Sequence, residues 1–363
     1  RTALRMRRAF LAIAVSVSGL ALLAPTAGAT DIYSYANGCF AIKDTLANKY
    51  VVRDSAGYSA TAATVGAATP FRMQATALGR YLLYGPDAKL PGTSLLCSVA
   101  PTDKPGPPAD WRVQDVGGKL RLVSVSTGKE LGVNGLGRLA QVAPTTARWG
   151  FAAAEGCATF PEVEVNVTGT PLKGASPTAK VRGFFDDHIH LGAFEFLGGR
   201  FHCGRPWSPY GVTVALKDCP DHFPNGAGAV VENLISNGSP VGTHAPDGWP
   251  SFTGWPRDES QTHEGTYWKW IERSWRAGLR LMVQDLVENR ALCDLYPYKK
   301  NDCNEMVSAY RQLDDMHALQ DYIDAQFGGP GKGFFRIVTS SAEARKVINA
   351  GKLAVVIGIE ESG

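Results

Sequence analysis

The sequence has little excess charge: 37 Lys and Arg against 34 Asp and Glu leave a formal net charge of +3 over 363 residues. Nucleic-acid recognition usually needs clustered basic charge, so no nucleic-acid partner is expected. After the N-terminus there is no run of about 18 apolar residues, and no membrane span is expected there. With 44% hydrophobic residues the chain is too apolar to be wholly disordered. Its length suits two ordinary domains.

Residues 1–29 are predicted to be a signal peptide. Arg5, Arg7 and Arg8 precede a short apolar core, and Ala27-Gly28-Ala29 has the small-x-small pattern of a cleavage site. A retained N-terminal anchor is the alternative. Cleavage of this bacterial-type export signal would give a secreted, extracellular protein with no membrane span, whose cysteines can oxidise.

The seven cysteines suggest local disulfides. The natural close pairs are Cys203 with Cys219 and Cys293 with Cys303. Cys39 and Cys157 would join the two ends of the N-terminal domain. Cys97 is then left over, and spacing alone does not fix the connectivity.

Residues 30–157 have the pattern of an all-β domain, with short alternating runs separated by Gly, Asn, Asp and Pro. An aromatic residue recurs two positions before a second apolar residue, at Phe40, Phe71, Trp111 and Trp149. Three units of about 40 residues, closed by a fourth strand, would form a pseudo-threefold barrel.

This repeat resembles the β-trefoil superfamily, in particular its ricin-type lectin and fascin-like branches. The segment 126–133, Ser-Thr-Gly-Lys-Glu-Leu-Gly-Val, looks like the turn-and-strand segment of those lectins. The resemblance implies a β-trefoil-like domain and adds a glycan to the expected partners. A packing module without a ligand is the alternative.

Residues 158–177 are predicted to be a linker, and residues 178–363 alternate strands with helices, which is typical of a parallel α/β sheet or barrel. Strands are expected at 181–185, 279–283, 334–338 and 353–359. A long insertion at 193–266, dense in Gly, Pro, Trp and His, interrupts this pattern. It is either an active-site lid or a disulfide-tied surface excursion.

The segment Asp186-Asp187-His188-Ile189-His190 follows the first predicted strand. Residues two apart in a strand share a face, so His188 and His190 would present two imidazoles side by side to a divalent metal. Asp186 lies on the same face and is expected to orient or support a metal ligand without binding the metal itself. Two unrelated surface histidines are the alternative.

The apolar strand ending in Asp-x-His-x-His resembles the first metal motif of the amidohydrolase superfamily. The run 342–360, a helix ending in Gly-Lys and then an apolar strand ending in Gly-x-Glu, resembles the membrane (renal-type) dipeptidases. In that family this Glu bridges two zinc ions, so the resemblance implies that Glu360 is the bridging ligand here.

The resemblance implies a multidomain protein, a β-trefoil-like domain followed by a truncated α/β TIM barrel of amidohydrolase type. The implied function is a secreted hydrolase that cleaves a small amide or peptide bond with metal-activated water. The implied cofactor is Zn²⁺, in a binuclear site of the full-length protein. A complete barrel takes about 250 residues, so a fragment is expected, inactive alone, with the remaining metal ligands beyond residue 363. An esterase, lactonase or phosphoesterase of the same superfamily, or a non-catalytic carbohydrate-binding surface protein, are the alternatives.

Overall fold

The computed structural model describes residues 31–94, 97–144, 147–216, 219, 222–246 and 262–361. The signal peptide predicted at 1–29 therefore lies outside the described residues. Three disulfides confirm the pairs expected from the sequence, Cys39–Cys157, Cys203–Cys219 and Cys293–Cys303. Such bonds fit an oxidising, extracellular environment. In the described part of the chain, no helix combines the length and apolar character needed to cross a membrane.

The N-terminal half is built of antiparallel strands. Its strands are β1 (Cys39–Asp44), β2 (Lys49–Asp54), β3 (Gly57–Ala62), β4 (Pro70–Ala77), β5 (Arg80–Tyr84), β6 (Leu90–Thr93), β7 (Val99–Thr102), β8 (Asp110–Val116), β9 (Lys119–Ser124), β10 (Glu130–Val133), β11 (Leu139–Val142) and β12 (Trp149–Ala153).

Six of these strands close on one another in a ring. β1 pairs with β4, β4 with β5, β5 with β8, β8 with β9, β9 with β12, and β12 returns to β1. Between them lie the hairpins β2–β3, β6–β7 and β10–β11. The same four-strand unit therefore occurs three times.

The recurring aromatic residues fill the core of this ring. Phe71, Trp111 and Trp149 are buried, whereas Phe40 is half-buried. The Trp111 indole N–H donates to the Pro91 carbonyl at 3.0 Å, and that of Trp149 donates to the Leu131 carbonyl at 2.8 Å. A buried indole N–H without a partner is costly, so each hairpin supplies the acceptor that its own unit needs.

The C-terminal half contains parallel strands and helices. The strands are β13 (Phe184–Ile189), β14 (Leu279–Glu288), β15 (Phe335–Ile337) and β16 (Leu353–Glu361). The helices are α1 (Phe196–Gly199), α2 (Val212–Ala215), α3 (Val230–Asn237), α4 (Trp268–Ala277), α5 (Arg290–Leu295), α6 (Glu305–Gln326) and α7 (Ser341–Asn349).

The predicted TIM barrel is wrong for the described residues. The parallel strands form an open sheet in the order β13-β14-β16-β15, with β13 and β15 at opposite edges. On β13, Phe184 and Phe185 are 52% and 56% exposed, whereas barrel strands are covered by helices. Strand–helix alternation is the same in open and closed parallel sheets, so the sequence pattern could not separate them.

The cap of α7 is well defined, and one predicted strand is displaced. Ser340 caps α7, since its hydroxyl accepts from the Glu343 N–H at 3.2 Å. The Glu343 carboxylate in turn accepts from the N–H of Thr339, the residue before the cap, which is close to the capping-box arrangement. The strand expected at 181–185 instead runs from Phe184 to Ile189, so His188 belongs to the strand itself.

The two halves touch through the end of α6. The Gln326 amide donates to the Ala75 carbonyl at 2.7 Å, and the Asn37 amide donates to the Gln326 carbonyl at 2.9 Å. The ring thus packs against the helix that covers β14.

The segment predicted as a linker is fastened to α4. The Tyr267 hydroxyl donates to Glu162 at 2.9 Å, and the Arg273 guanidinium donates to the Val165 carbonyl at 2.6 Å. Burial raises the pKa of Glu162 from its usual 4.5 to about 7.

Glu162 should make stability depend on pH. The folded protein holds this proton more tightly than the unfolded chain, so stability should fall as pH rises from 4.5 to about 7. In Glu162→Gln the free energy of unfolding should fall by up to about 3 kcal/mol less than in the wild type between these two pH values. Urea denaturation at each pH measures this. Glu164→Gln at an exposed site is the control. An unchanged pH slope in Glu162→Gln would refute the assignment.

Candidate metal site

Parallel pairing brings the ends of β13 and β16 to one edge of the sheet. Both strands pair with β14, which places Ile189 opposite Gln284 and Glu360 opposite Val287. The carboxyl ends of parallel strands are where α/β sheets place their ligands. The two predicted metal motifs, 172 residues apart, therefore meet at this edge.

The three predicted ligands converge. The Nε2 atoms of His188 and His190 lie 3.0 Å apart. The Glu360 carboxylate oxygen Oε2 lies 2.9 Å from the His188 Nε2 and 3.1 Å from the His190 Nε2. All three donor atoms lie within 4.8 Å of one another, so they can face a single ion.

The chain orients one imidazole. The Nδ1 of His190 lies 3.0 Å from the Asp285 carbonyl oxygen, which can only accept. This hydrogen bond places the proton on Nδ1 and leaves the Nε2 lone pair towards Glu360. At the other ring, the hydrogen bond with Glu360 raises the pKa of His188.

A close approach beside Glu360 explains the glycine two positions before it. A Cβ at Gly358 would lie 2.0 Å from the Asp285 carboxylate oxygen Oδ1. The missing side chain therefore leaves room for Asp285, whose carbonyl orients His190.

Asp186 forms a hydrogen bond with the backbone of His188. Its carboxylate accepts from the His188 backbone N–H at 3.2 Å. It also lines a small cleft with Trp270 and Met282. This hydrogen bond reaches the backbone of His188 and not its ring, so any support for the ring would act through the backbone and stays a prediction.

A cavity of about 360 Å³ is lined by two of the three ligands, His190 and Glu360. Its apolar lining includes Phe196, Phe201 and Val287. An apolar wall with a few polar groups is typical of small-molecule sites.

The insertion supplies two polar residues of the same cavity, His202 and Glu264. The Glu264 carboxylate accepts from the Thr266 hydroxyl at 2.6 Å, and its other oxygen lies 3.9 Å from the His202 Nδ1. Sequence reasoning identifies neither residue, because the insertion has no periodicity. Their only signal was the density of histidine there.

No family model matches the sequence, and no curated protein matches it. Several solved structures are similar to about a third of the chain. The GlcNAcα1-4Gal-releasing endo-β-galactosidase from Clostridium perfringens is 16% identical over 32% of this chain and 32% of its own, with a TM-score of 0.29. A Polyporus squamosus lectin bound to a human-type influenza-binding epitope is 13% identical over 32% and 49%, with a TM-score of 0.30. SeviL bound to asialo-GM1 saccharide is 18% identical over 33% and 100%, with a TM-score of 0.29.

The match spans less than two thirds of the galactosidase and of the Polyporus lectin. At such TM-scores these likenesses carry no argument about function. The predicted TIM barrel is corrected on the sheet alone, because the parallel strands of the described residues form an open sheet. Membership of the renal-type dipeptidase family stays a prediction.

Proposed function

We propose that this protein is a secreted, metal-dependent hydrolase whose divalent cation is held by His188, His190 and Glu360. The observation that carries the proposal is the convergence of two imidazoles and one carboxylate from strands that are 172 residues apart in the sequence.

The donor set suits Zn²⁺. Two His and one carboxylate are a common ligand set of catalytic zinc sites, which keep one position open. Zinc bonds of about 2.0–2.1 Å arranged as a tetrahedron separate the ligand atoms by about 3.3 Å. The separations here, 2.9 to 3.1 Å, are close to that value. Donor chemistry and spacing both fit.

The residues around the ligands suit hydrolysis of a small substrate. A bound divalent cation supplies Lewis acidity, which polarises a carbonyl and lowers the pKa of water. The hydrogen bond to the Asp285 carbonyl orients the His190 ring. Phe196 and Phe201 line the cavity, and Glu264, which also lines it, is the candidate proton carrier.

The proposal is tested by removing and restoring zinc. The full-length protein is treated with a chelator, dialysed against Zn²⁺ and assayed on amide, ester, lactone and phosphodiester substrates. We expect hydrolysis of one class that is lost with the chelator and returns with zinc.

Glu360→Gln should abolish that restoration and lower the bound zinc. His317→Ala, at an exposed position on α6, is the matched control and should behave like the wild type. Zinc binding unchanged in Glu360→Gln would contradict the site, and zinc bound without hydrolysis of any class would contradict the hydrolase.

A second candidate function is sugar binding by the ring. A cleft of about 450 Å³ there is lined by polar side chains that include Asn134, Arg138 and Gln141. Arg138 is fixed by the Asp54 carboxylate, with its Nη1 2.6 and 2.7 Å from the two oxygens. Fixed planar polar groups suit the hydroxyls of a sugar.

A glycan array probed with the whole chain tests this candidate. Binding should fall at least about 10-fold in Arg138→Ala, a loss of about 1.4 kcal/mol. It should persist in Arg112→Ala, at an exposed position on β8. An array without binding, or equal binding by both variants, would reject the cleft as a sugar site.

A further inference from the structure

Three histidines of the insertion pack against one another away from the site described above. The ring centroids of His222, His244 and His263 lie 5.1 to 5.2 Å apart in every pair, and the rings are nearly perpendicular. His222 is fully buried, His263 is 7% exposed, and His244 is half-buried. Imidazole is polar, so burying three of these rings together needs a compensating interaction.

The protonation of the central ring directs a lone pair into the cluster. The Nε2 of His222 lies 3.4 Å from the Phe201 carbonyl oxygen, to which an N–H donates. Its Nδ1 is then the unprotonated atom, and it lies 3.2 Å from the His244 Nε2.

We propose that His222, His244 and His263 bind one divalent transition-metal ion of the Zn²⁺ class, in addition to any ion at His188. Three neutral imidazoles are an established ligand set for such ions. The hydrogen bond from His222 to a backbone carbonyl is the outer partner that metal-ligating histidines usually have.

A disulfide beside the cluster fixes which atoms can serve. The sulfurs of Cys203 and Cys219 lie within 4.8 Å of the donor atoms of His222 and His263. They are bonded to each other, and only a thiolate is a good metal ligand. In the oxidised protein the imidazoles are therefore the ligands.

The cluster is connected to the cavity wall. Cys203 N–H donates to the Thr262 carbonyl at 2.6 Å, and Glu264 N–H donates to the Cys203 carbonyl at 2.8 Å, which fixes His263 between them. Glu264 lines the cavity beside His190. An ion at the three histidines would thus join distant parts of the insertion and stabilise that wall, so we assign it a structural role.

The experiment counts zinc per chain after equilibrium dialysis in non-reducing buffer. The His222→Ala/His263→Ala variant should lose one zinc relative to the wild type and to His317→Ala. It should keep the zinc that His188→Ala/His190→Ala loses. The two proposed sites are therefore tested independently of each other. If the buried double variant does not fold, His244→Ala, at a half-buried position, should show the same loss.

Cobalt substitution identifies the ligand atoms. Co²⁺ in the oxidised protein should give visible bands of a nitrogen site without a thiolate charge-transfer band. An unchanged zinc count in the cluster variants would overturn the proposal. A site that forms only after reduction by a dithiol, with a thiolate band, would overturn the three-imidazole ligand set.

Discussion

Zinc affinity should fall by at least about 100-fold when His188 and His190 are both replaced by alanine. Loss of an outer partner of a metal ligand already costs about 10–100-fold, and this variant removes two ligands themselves. Glu360 alone cannot hold an ion that three groups share. Affinity is measured by competition with a chromophoric chelator, with the His222 cluster removed in both proteins so that one site is counted.

The fold should survive this change. His188 is 58% exposed on an edge strand, and the side chain of His190 is 31% exposed. Circular dichroism should therefore match the wild type, and His317→Ala should keep the full affinity. An affinity within about 3-fold of the wild type would show that His188 and His190 are not ligands, and would leave Glu360 as a solvated carboxylate.

Of the three disulfides, the one between Cys39 and Cys157 should contribute most to stability. It closes a loop over a sequence separation of 118 residues. In the loop-entropy account such a bond stabilises by about 4–5 kcal/mol, through the entropy that the unfolded chain loses. The double variant Cys39→Ser/Cys157→Ser is therefore expected to lose about that much in urea denaturation.

Two controls separate loop entropy from the loss of sulfur packing. Removing Cys293–Cys303, with a separation of 10 residues, should cost about 2–3 kcal/mol. Cys97→Ser, at the cysteine outside the three disulfides, should change stability by less than about 1 kcal/mol. Equal losses for the long and the short loop would contradict the entropic explanation.

Local patterns in the sequence predicted local structure well. The pairing of Cys203 with Cys219 and the shared face of His188 and His190 follow from rules that act over short stretches of sequence. The recurring aromatics at Phe71, Trp111 and Trp149 indicated one common core because each repeat alone is too small to bury its own.

Long-range closure could not be predicted in the same way. An open sheet and a barrel share their strand–helix alternation, and what distinguishes them is whether the edge strands β13 and β15 pair. Glu360 was found only through a family resemblance, because nothing local connects it to His188. The imidazole cluster and Glu264 lie in an aperiodic insertion, where the sequence carries no signal of contact.

Crystals grown with Zn²⁺ and measured at the zinc absorption edge test the central claim most directly. We predict an anomalous peak about 2.0–2.2 Å from the Nε2 atoms of His188 and His190 and from a Glu360 carboxylate oxygen. Zinc peaks confined to other positions, with none between these three side chains, would contradict the assignment of this edge of the sheet as a metal site.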